Sequence, residues 1–250
     1  MEPLVFGTLA SRLPRIGGMA TMPSRRASLM QALPHILRQV DRLYLYLDQH
    51  TEVPAELAGV PKLVPLLPPP GERHLRGAGK LMGLHQGEGP CLFFGFDDDI
   101  IYGDGYVEHL ACKLRFHGYR SLVGLHGAVL RRPITTYTRS REVSHFAAAL
   151  DFDLHVDELG TGTIALHSAC LRVDPRRWLH TGMSDLMVGL EAIRQGVPRV
   201  AVTRPAGLAT AIAERQPDSL HMATVRDDQV QTELLLQAME AYPDAWCRSA

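Results

Sequence analysis

Several things are scarce in this 250-residue chain, and each scarcity closes off a class of protein. Cysteine is limited to Cys91, Cys112, Cys170 and Cys247, with neither C-x-x-C spacing nor the density of a disulfide scaffold, so a reduced compartment is expected. No run reaches the eighteen or more apolar residues that a membrane span needs. The N-terminus, Met1-Glu2-Pro3-Leu4-Val5-Phe6, has an acid where a signal peptide wants a base, and its apolar run is short. Charge of either sign is not in excess: the formal net charge of −1 argues against a general electrostatic grip on nucleic acid and leaves room only for a local basic patch. No long Ser, Gly or Pro tract divides the chain, and its length suffices for one substantial core. These absences predict a single cytoplasmic domain over residues 1–250 with no transmembrane segment, while peripheral attachment to a membrane stays open.

What the chain does have is an apolar run that stops at three acids, Cys91-Leu92-Phe93-Phe94-Gly95-Phe96-Asp97-Asp98-Asp99-Ile100-Ile101-Tyr102. Uncharged residues rich in Phe fit a strand buried on both faces, so the acids stand at its carboxyl end. In an open parallel sheet, that edge binds ligands. Three adjacent carboxylates repel one another, a nearby cation relieves them, and all-oxygen ligands suit Mg²⁺ or Mn²⁺. The plain alternative is an acidic turn whose Asp side chains accept from local backbone N–H groups. Ile100 and Ile101 count against it, because a solvent turn seldom continues into two β-branched residues.

Other polar features fall at predicted strand ends. A strand from Ile16 to Met22 leads into Thr21-Met22-Pro23-Ser24-Arg25, with Ser24 as the cap of a helix carrying Leu29, Leu33, Ile36, Leu37 and Val40 on one face. Pro34 is expected to kink or break that helix. Thr21, Ser24 and Arg25 either meet a nucleotide or form an ordinary helix start. Leu43 to Leu47 reads as a strand ending at Asp48, a turn residue or an acceptor for a base or ribose. Six prolines between Val53 and Pro70 leave room for a short strand near Leu63 to Leu67. Gly77-Ala78-Gly79-Lys80 offers backbone N–H groups and a cation to an anion without meeting the P-loop pattern.

Beyond the acids, Tyr106, Val107, Leu110, Ala111 and Leu114 face inward from a helix, and Ser121 to Leu125 is a strand. His126 fits a hydrogen-bonded structural role better than a ligand contact. Arg131 to Arg141 reads as a mobile excursion or a solvated loop. Gly160-Thr161-Gly162-Thr163 is a sharp turn that lets backbone pass close to a sugar or to the acid loop, and Ile164 to His167 resumes a strand. Ser184 is expected to cap a helix with Asp185 in its first turn. There Asp185 serves either the helix dipole or a general-base role. Val200 to Val202 forms a last strand, Ala206 to Val225 reads as loop, and Val230, Leu234, Leu235, Ala238 and Met239 make a final amphipathic helix. His221, in that loop, is a candidate metal ligand or diphosphate contact.

Strands alternating with helices give an α/β domain with a mostly parallel sheet flanked by helices. At Thr21-Met22-Pro23-Ser24-Arg25, Asp48, Gly77-Ala78-Gly79-Lys80, Asp97-Asp98-Asp99, Gly160-Thr161-Gly162-Thr163 and Ser184-Asp185, the pattern resembles the GT-A (Rossmann-like) glycosyltransferases, in particular family 2-like enzymes of bacterial surface polysaccharide assembly. The resemblance covers about residues 16–205. It implies a nucleotide-diphosphate sugar donor, a saccharide or glycolipid acceptor and an Mn²⁺ or Mg²⁺ ion. Thr21, Ser24, Arg25, Asp48 and Asp98 would serve the nucleotide and Lys80 the diphosphate. Asp97 and Asp99 would be the outer members of a D-x-D, with Asp99 the direct metal ligand and Asp97 nearer the ribose or a metal-bound water. Asp185 would be the base of an inverting transfer, although the family's commoner acidic pair is here Ser184-Asp185. Two other classes share these features: a nucleotidyltransferase acting on a sugar phosphate, and a non-catalytic nucleotide-sugar-binding module. The lack of a glycine-rich basic triphosphate loop near the N-terminus counts against the former.

Overall fold

The computed structural model describes residues 12–86, 89–212 and 227–247. Its main sheet contains β1 (Arg15–Thr21), β2 (Arg42–Leu47), β3 (Leu63–Leu66), β4 (Leu92–Phe96), β6 (Leu122–Gly124), β9 (Leu154–His155), β11 (Ile164–His167) and β12 (Arg199–Ala201), in the order β3-β2-β1-β4-β11-β6-β12-β9. The pairs β3/β2, β2/β1, β1/β4 and β6/β12 are parallel, while β11 runs antiparallel to both β4 and β6. It follows that β1, β2, β3, β4, β6 and β12 all end at one edge and that β11 begins there. That shared edge is where the acids lie.

Local sequence accounts for the order. Phe93, Phe94 and Phe96 are wholly buried because β4 sits mid-sheet with a helical layer on each face. Pro65 is tolerated because β3 is an outer strand, where a missing N–H breaks no ladder on the open side. One face of the sheet packs on α1 (Arg26–Leu37) and α2 (Tyr106–Phe116) through Leu29, Leu33, Ile36, Tyr106, Leu110 and Leu114. The other face packs on a 3₁₀ helix, Arg76–His85, and on α3 (Ser184–Arg194) through Ala78, Leu81, Val188 and Ala192. A smaller core joins α3 to α4 (Gln229–Ala241) around Leu186, Ile193, Leu235 and Trp246.

Several expectations need correcting. Pro34 lies inside α1 without ending it, because Pro34 and Met30, whose carbonyl loses its i+4 donor, are both exposed and water can serve that oxygen. Ser24 is not a cap: it lies in a 3₁₀ turn, Pro23–Arg25, and Arg25 occupies the N-cap of α1. Ser184 is the first residue of α3, behind an N-cap at Met183. The stretch expected as loop after Ala206 contains β13 (Ala209–Ala211), which pairs antiparallel with β5 (Ile100–Tyr102), so the strand leaving the acids gains a partner. On α4, Val230 is 39% exposed, and buried Gln231 takes the inward position instead.

The excursion after Leu130 is anchored rather than loose. β7 (Gly127–Leu130) pairs with β8 (Arg141–Ser144) and with β10 (Glu158–Leu159) in a three-stranded sheet. Between them Tyr137 is buried with its hydroxyl on Glu158, while its backbone N–H donates to Thr232 Oγ1 at 2.9 Å. Thr138 binds Asp228 through both its N–H and its hydroxyl. None of the described helices is long and apolar enough to cross a membrane.

Candidate active site

β1 delivers Thr21 to the shared edge and β4 delivers the acids, because Met19 and Phe96 are in register and both strands run toward it. The three carboxylates then diverge. Asp98 turns inward, 8% exposed, and accepts a 2.6 Å hydrogen bond from the Thr21 hydroxyl. Asp97 and Asp99 turn outward, with side chains 38% and 30% exposed. Asp97 is paired with the Lys80 ammonium, and Asp99 accepts from the Arg25 guanidinium at 3.3 Å. The mutual repulsion inferred from sequence is therefore relieved in part by two buried cations of the protein itself, Lys80 and Arg25.

Electrostatics follow from this packing. Burial pushes the Asp98 carboxyl up to about 7; the Thr21 bond opposes this, and the charges of Asp99 and Asp97 add to it. Burial and the charge of Asp97 also raise Asp99, against Arg25 and Lys80. Burial works against the Lys80 ammonium, but Asp97, supported by Asp185 and Asp98, more than offsets it and holds the pKa above the ordinary lysine value. Lys80 is a persistent cation among acids.

Lys80 reaches this position from an unexpected element. Gly79 sits in the 3₁₀ helix where any side chain would run into the Tyr46 ring, so it lets that helix lie close on β2. Asp48, 3% exposed, stands one strand away at the end of β2, where its backbone N–H bonds Thr21 O at 2.8 Å. Its carboxylate accepts from the Arg76 N–H at 3.3 Å and lies 3.3 Å from His74 Nδ1.

On the other side of β4, the turn Thr161–Thr163 precedes β11. Gly162 packs where a side chain would collide with the Asp97 carboxylate, so the turn does press against the acid loop. Thr161 holds Asp185: its N–H and its hydroxyl donate to Oδ1 at 2.8 and 2.6 Å. Since that hydroxyl has one hydrogen, the 2.9 Å contact between Thr161 Oγ1 and Ser184 Oγ has Ser184 as donor. Sequence reasoning identified the turn but missed its hold on Asp185; a hydroxyl residue between two glycines was the available signal. His126 follows β6 at the same edge. Its Nδ1 is buried with no hydrogen-bond partner among the described residues, and burial lowers its pKa to about 4 despite the charge of Asp185. His221 lies outside the described residues.

No protein-family model matches the chain, and no curated protein matches it by sequence. Among solved structures it is similar to S. aureus TarS, residues 1–349, in complex with UDP-GlcNAc, at 10% identity and a TM-score of 0.52, over 92% of this chain and 71% of that one. A second structure of S. aureus TarS 1–349 gives 12% identity and a TM-score of 0.49, over 92% and 70%. The fold is GT-A-like. In a GT-A-like sheet of this order, the acids of β4 and the first turn of α3 flank one edge.

The donor set at that edge fits a small hard cation. Asp97 and Asp99 present outward carboxylate oxygens two residues apart, and no group of three or more His, Cys, Asp or Glu side chains assembles around a point among the described residues. Two carboxylates without a full protein cage suit Mg²⁺ or Mn²⁺, which complete their shells with water and substrate phosphate.

Proposed function

We propose that the chain is a glycosyltransferase that moves a sugar from a nucleotide-diphosphate donor to an acceptor hydroxyl. One observation carries this reading: outward carboxylates Asp97 and Asp99, paired with Lys80 and Arg25, share the edge of a GT-A-like sheet with Asp185, which Thr161 holds. UDP-GlcNAc in the TarS structure supports a nucleotide sugar as the donor class. A saccharide or glycolipid acceptor in polysaccharide or glycoconjugate synthesis is the matching second substrate, in the cytoplasm or at a membrane surface.

In this reading Thr21, Ser24, Arg25, Asp48 and Asp98 serve the nucleotide end, either by contact or, for buried Asp98, by bracing Thr21. Asp97 and Asp99 would hold Mn²⁺ or Mg²⁺, and such an ion neutralises charge that develops on a departing diphosphate. Lys80, kept protonated by its acidic neighbours, offers a preorganised cation to the same anion. Asp185 takes the proton of the acceptor hydroxyl as that oxygen attacks the anomeric carbon from the face opposite the leaving group, which inverts the centre. Both Thr161 bonds fall on Oδ1, which fixes the carboxylate plane and leaves Oδ2 for the incoming hydroxyl.

The test follows release of nucleoside diphosphate from UDP-GlcNAc and other nucleotide sugars with Mn²⁺, in wild type and Asp185→Asn. Release by the wild type that is lost in a variant still able to bind nucleotide supports the transferase. Nucleotide binding without turnover of any donor favours a non-catalytic binding module.

A further inference from the structure

Tyr102 is the last residue of β5 and is completely buried, between the rings of Phe96 and Tyr106 at 4.9 and 4.7 Å. A phenylalanine would fill the same space. The hydroxyl therefore needs its own explanation, since most buried hydroxyls are paired. It is paired twice, with backbone from two different halves of the site. The Asp97 N–H donates to Tyr102 Oη at 2.7 Å, and Tyr102 Oη donates to the Gly162 carbonyl at 2.6 Å.

Asp97 directly follows β4, and Gly162 lies in the turn before β11, the strand paired with β4. Asp97 begins the acid loop and carries the carboxylate paired with Lys80. Gly162 lies in the turn whose preceding residue, Thr161, holds Asp185 through two bonds. One oxygen atom thus bridges the acid loop to the support of the proposed base. The contact is doubly enforced, because the Gly162 backbone also packs directly against the Asp97 carboxylate. Burial, with the charge of Asp97 behind it, holds the phenol well above its ordinary pKa, so it remains a donor toward Gly162 at any ordinary pH.

We infer that Tyr102 is a positioning residue that ties occupancy of the acid loop to the placement of the turn holding Asp185. The inference rests on the nucleotide-binding reading above and adds a route by which donor binding sets the base. A ligand that moves Asp97 must move, or be resisted by, Gly162 and Thr161. Tyr102→Phe removes the hydrogen-bonded part of that tie and leaves the packing of Gly162 on Asp97, with every carboxylate and cation in place.

The experiment is amide hydrogen exchange on the full chain, with and without saturating nucleoside diphosphate (UDP, GDP, CDP or ADP, whichever binds) and Mn²⁺. In the wild type, nucleotide slows exchange over residues 97–102 and also over 160–164. In Tyr102→Phe, nucleotide affinity stays within about threefold, protection of 97–102 persists and protection of 160–164 falls, leaving only what the direct packing of Gly162 on Asp97 transmits. A purely structural tyrosine would lower thermal stability and leave both responses as they were. Should Tyr102→Phe fail to fold, the wild-type pattern decides: protection confined to 97–102 overturns the coupling. Equal protection of 160–164 in wild type and variant also overturns it. Failure of the wild type to bind any of the four nucleotides overturns the reading of the site, and the coupling with it.

Discussion

Asp97, Asp98 and Asp99 after β4, and Asp157 and Glu158 at β10, are both runs of adjacent acids, but the surrounding chain uses them in opposite ways. Asp157 and Glu158 are each 2% exposed. Asp157 accepts from the Leu130 and Cys247 backbone N–H groups at 2.8 and 2.6 Å, tying β7 and the C-terminal segment to one carboxylate. Glu158 is closed off by the Tyr137 hydroxyl and by Arg141 at 3.1 Å. Asp97 and Asp99, in contrast, are held by the ends of long side chains at an open edge. Backbone amides cannot swing away, whereas an ammonium or guanidinium can exchange a carboxylate for a phosphate. Exposure decides together with the partner: Glu158 also faces a guanidinium but is closed to any ligand, whereas the Asp97 and Asp99 side chains reach solvent.

That contrast yields graded expectations. The largest effect should come from Asp185→Asn, which lowers donor turnover about 10²–10⁴-fold with nucleotide affinity little changed, measured by nucleoside diphosphate release and calorimetry. Asp157→Ala should do the reverse: a buried and a half-buried N–H lose their acceptor, unfolding in urea reports a loss of about 2–4 kcal/mol, and nucleotide affinity is retained.

Asp98 sharpens the comparison, since it belongs to the outward run in sequence and to the buried class in structure. Its folded-state pKa of about 7 lies above the ordinary 3.8, so the protonated form is the one that folding favours. Its contribution is complete below about pH 4 and is lost as the pH rises through 7, with an upper bound of roughly 4–5 kcal/mol. Asp98→Asn should therefore flatten the decline in stability over that window and raise the melting temperature at about pH 8, with little change at about pH 4. The smallest effect belongs to Arg131→Ala: its pair with Glu142 is exposed on both sides, and stability should stay within about 0.5 kcal/mol of wild type.

The elements that sequence revealed best were those with strong periodicity and a single environment. The doubly buried β4, the inward face of α2 and the Asp48 strand end all follow from local pattern. What was hidden depends on partners far along the chain. β13 is three small residues whose strand character comes from pairing with β5. Tyr137 is buried because Glu158 and Thr232 receive it, and nothing in Thr135-Thr136-Tyr137-Thr138 announces either partner. The glycines before Lys80 were visible, but whether they cradle an anion or admit a helix against Tyr46 is a question of packing that spacing does not answer.

The central claim, that Asp97 and Asp99 form a nucleoside-diphosphate site, is tested most directly by calorimetric titration of UDP, GDP, CDP and ADP, with and without Mn²⁺, into wild type and Asp99→Ala. Saturable binding of one nucleotide that strengthens with the ion and falls at least tenfold in Asp99→Ala is the predicted result. Equal titrations in wild type and Asp99→Ala, or no binding of any nucleotide, would contradict it and reduce the acid run to a turn neutralised by its own Lys80 and Arg25.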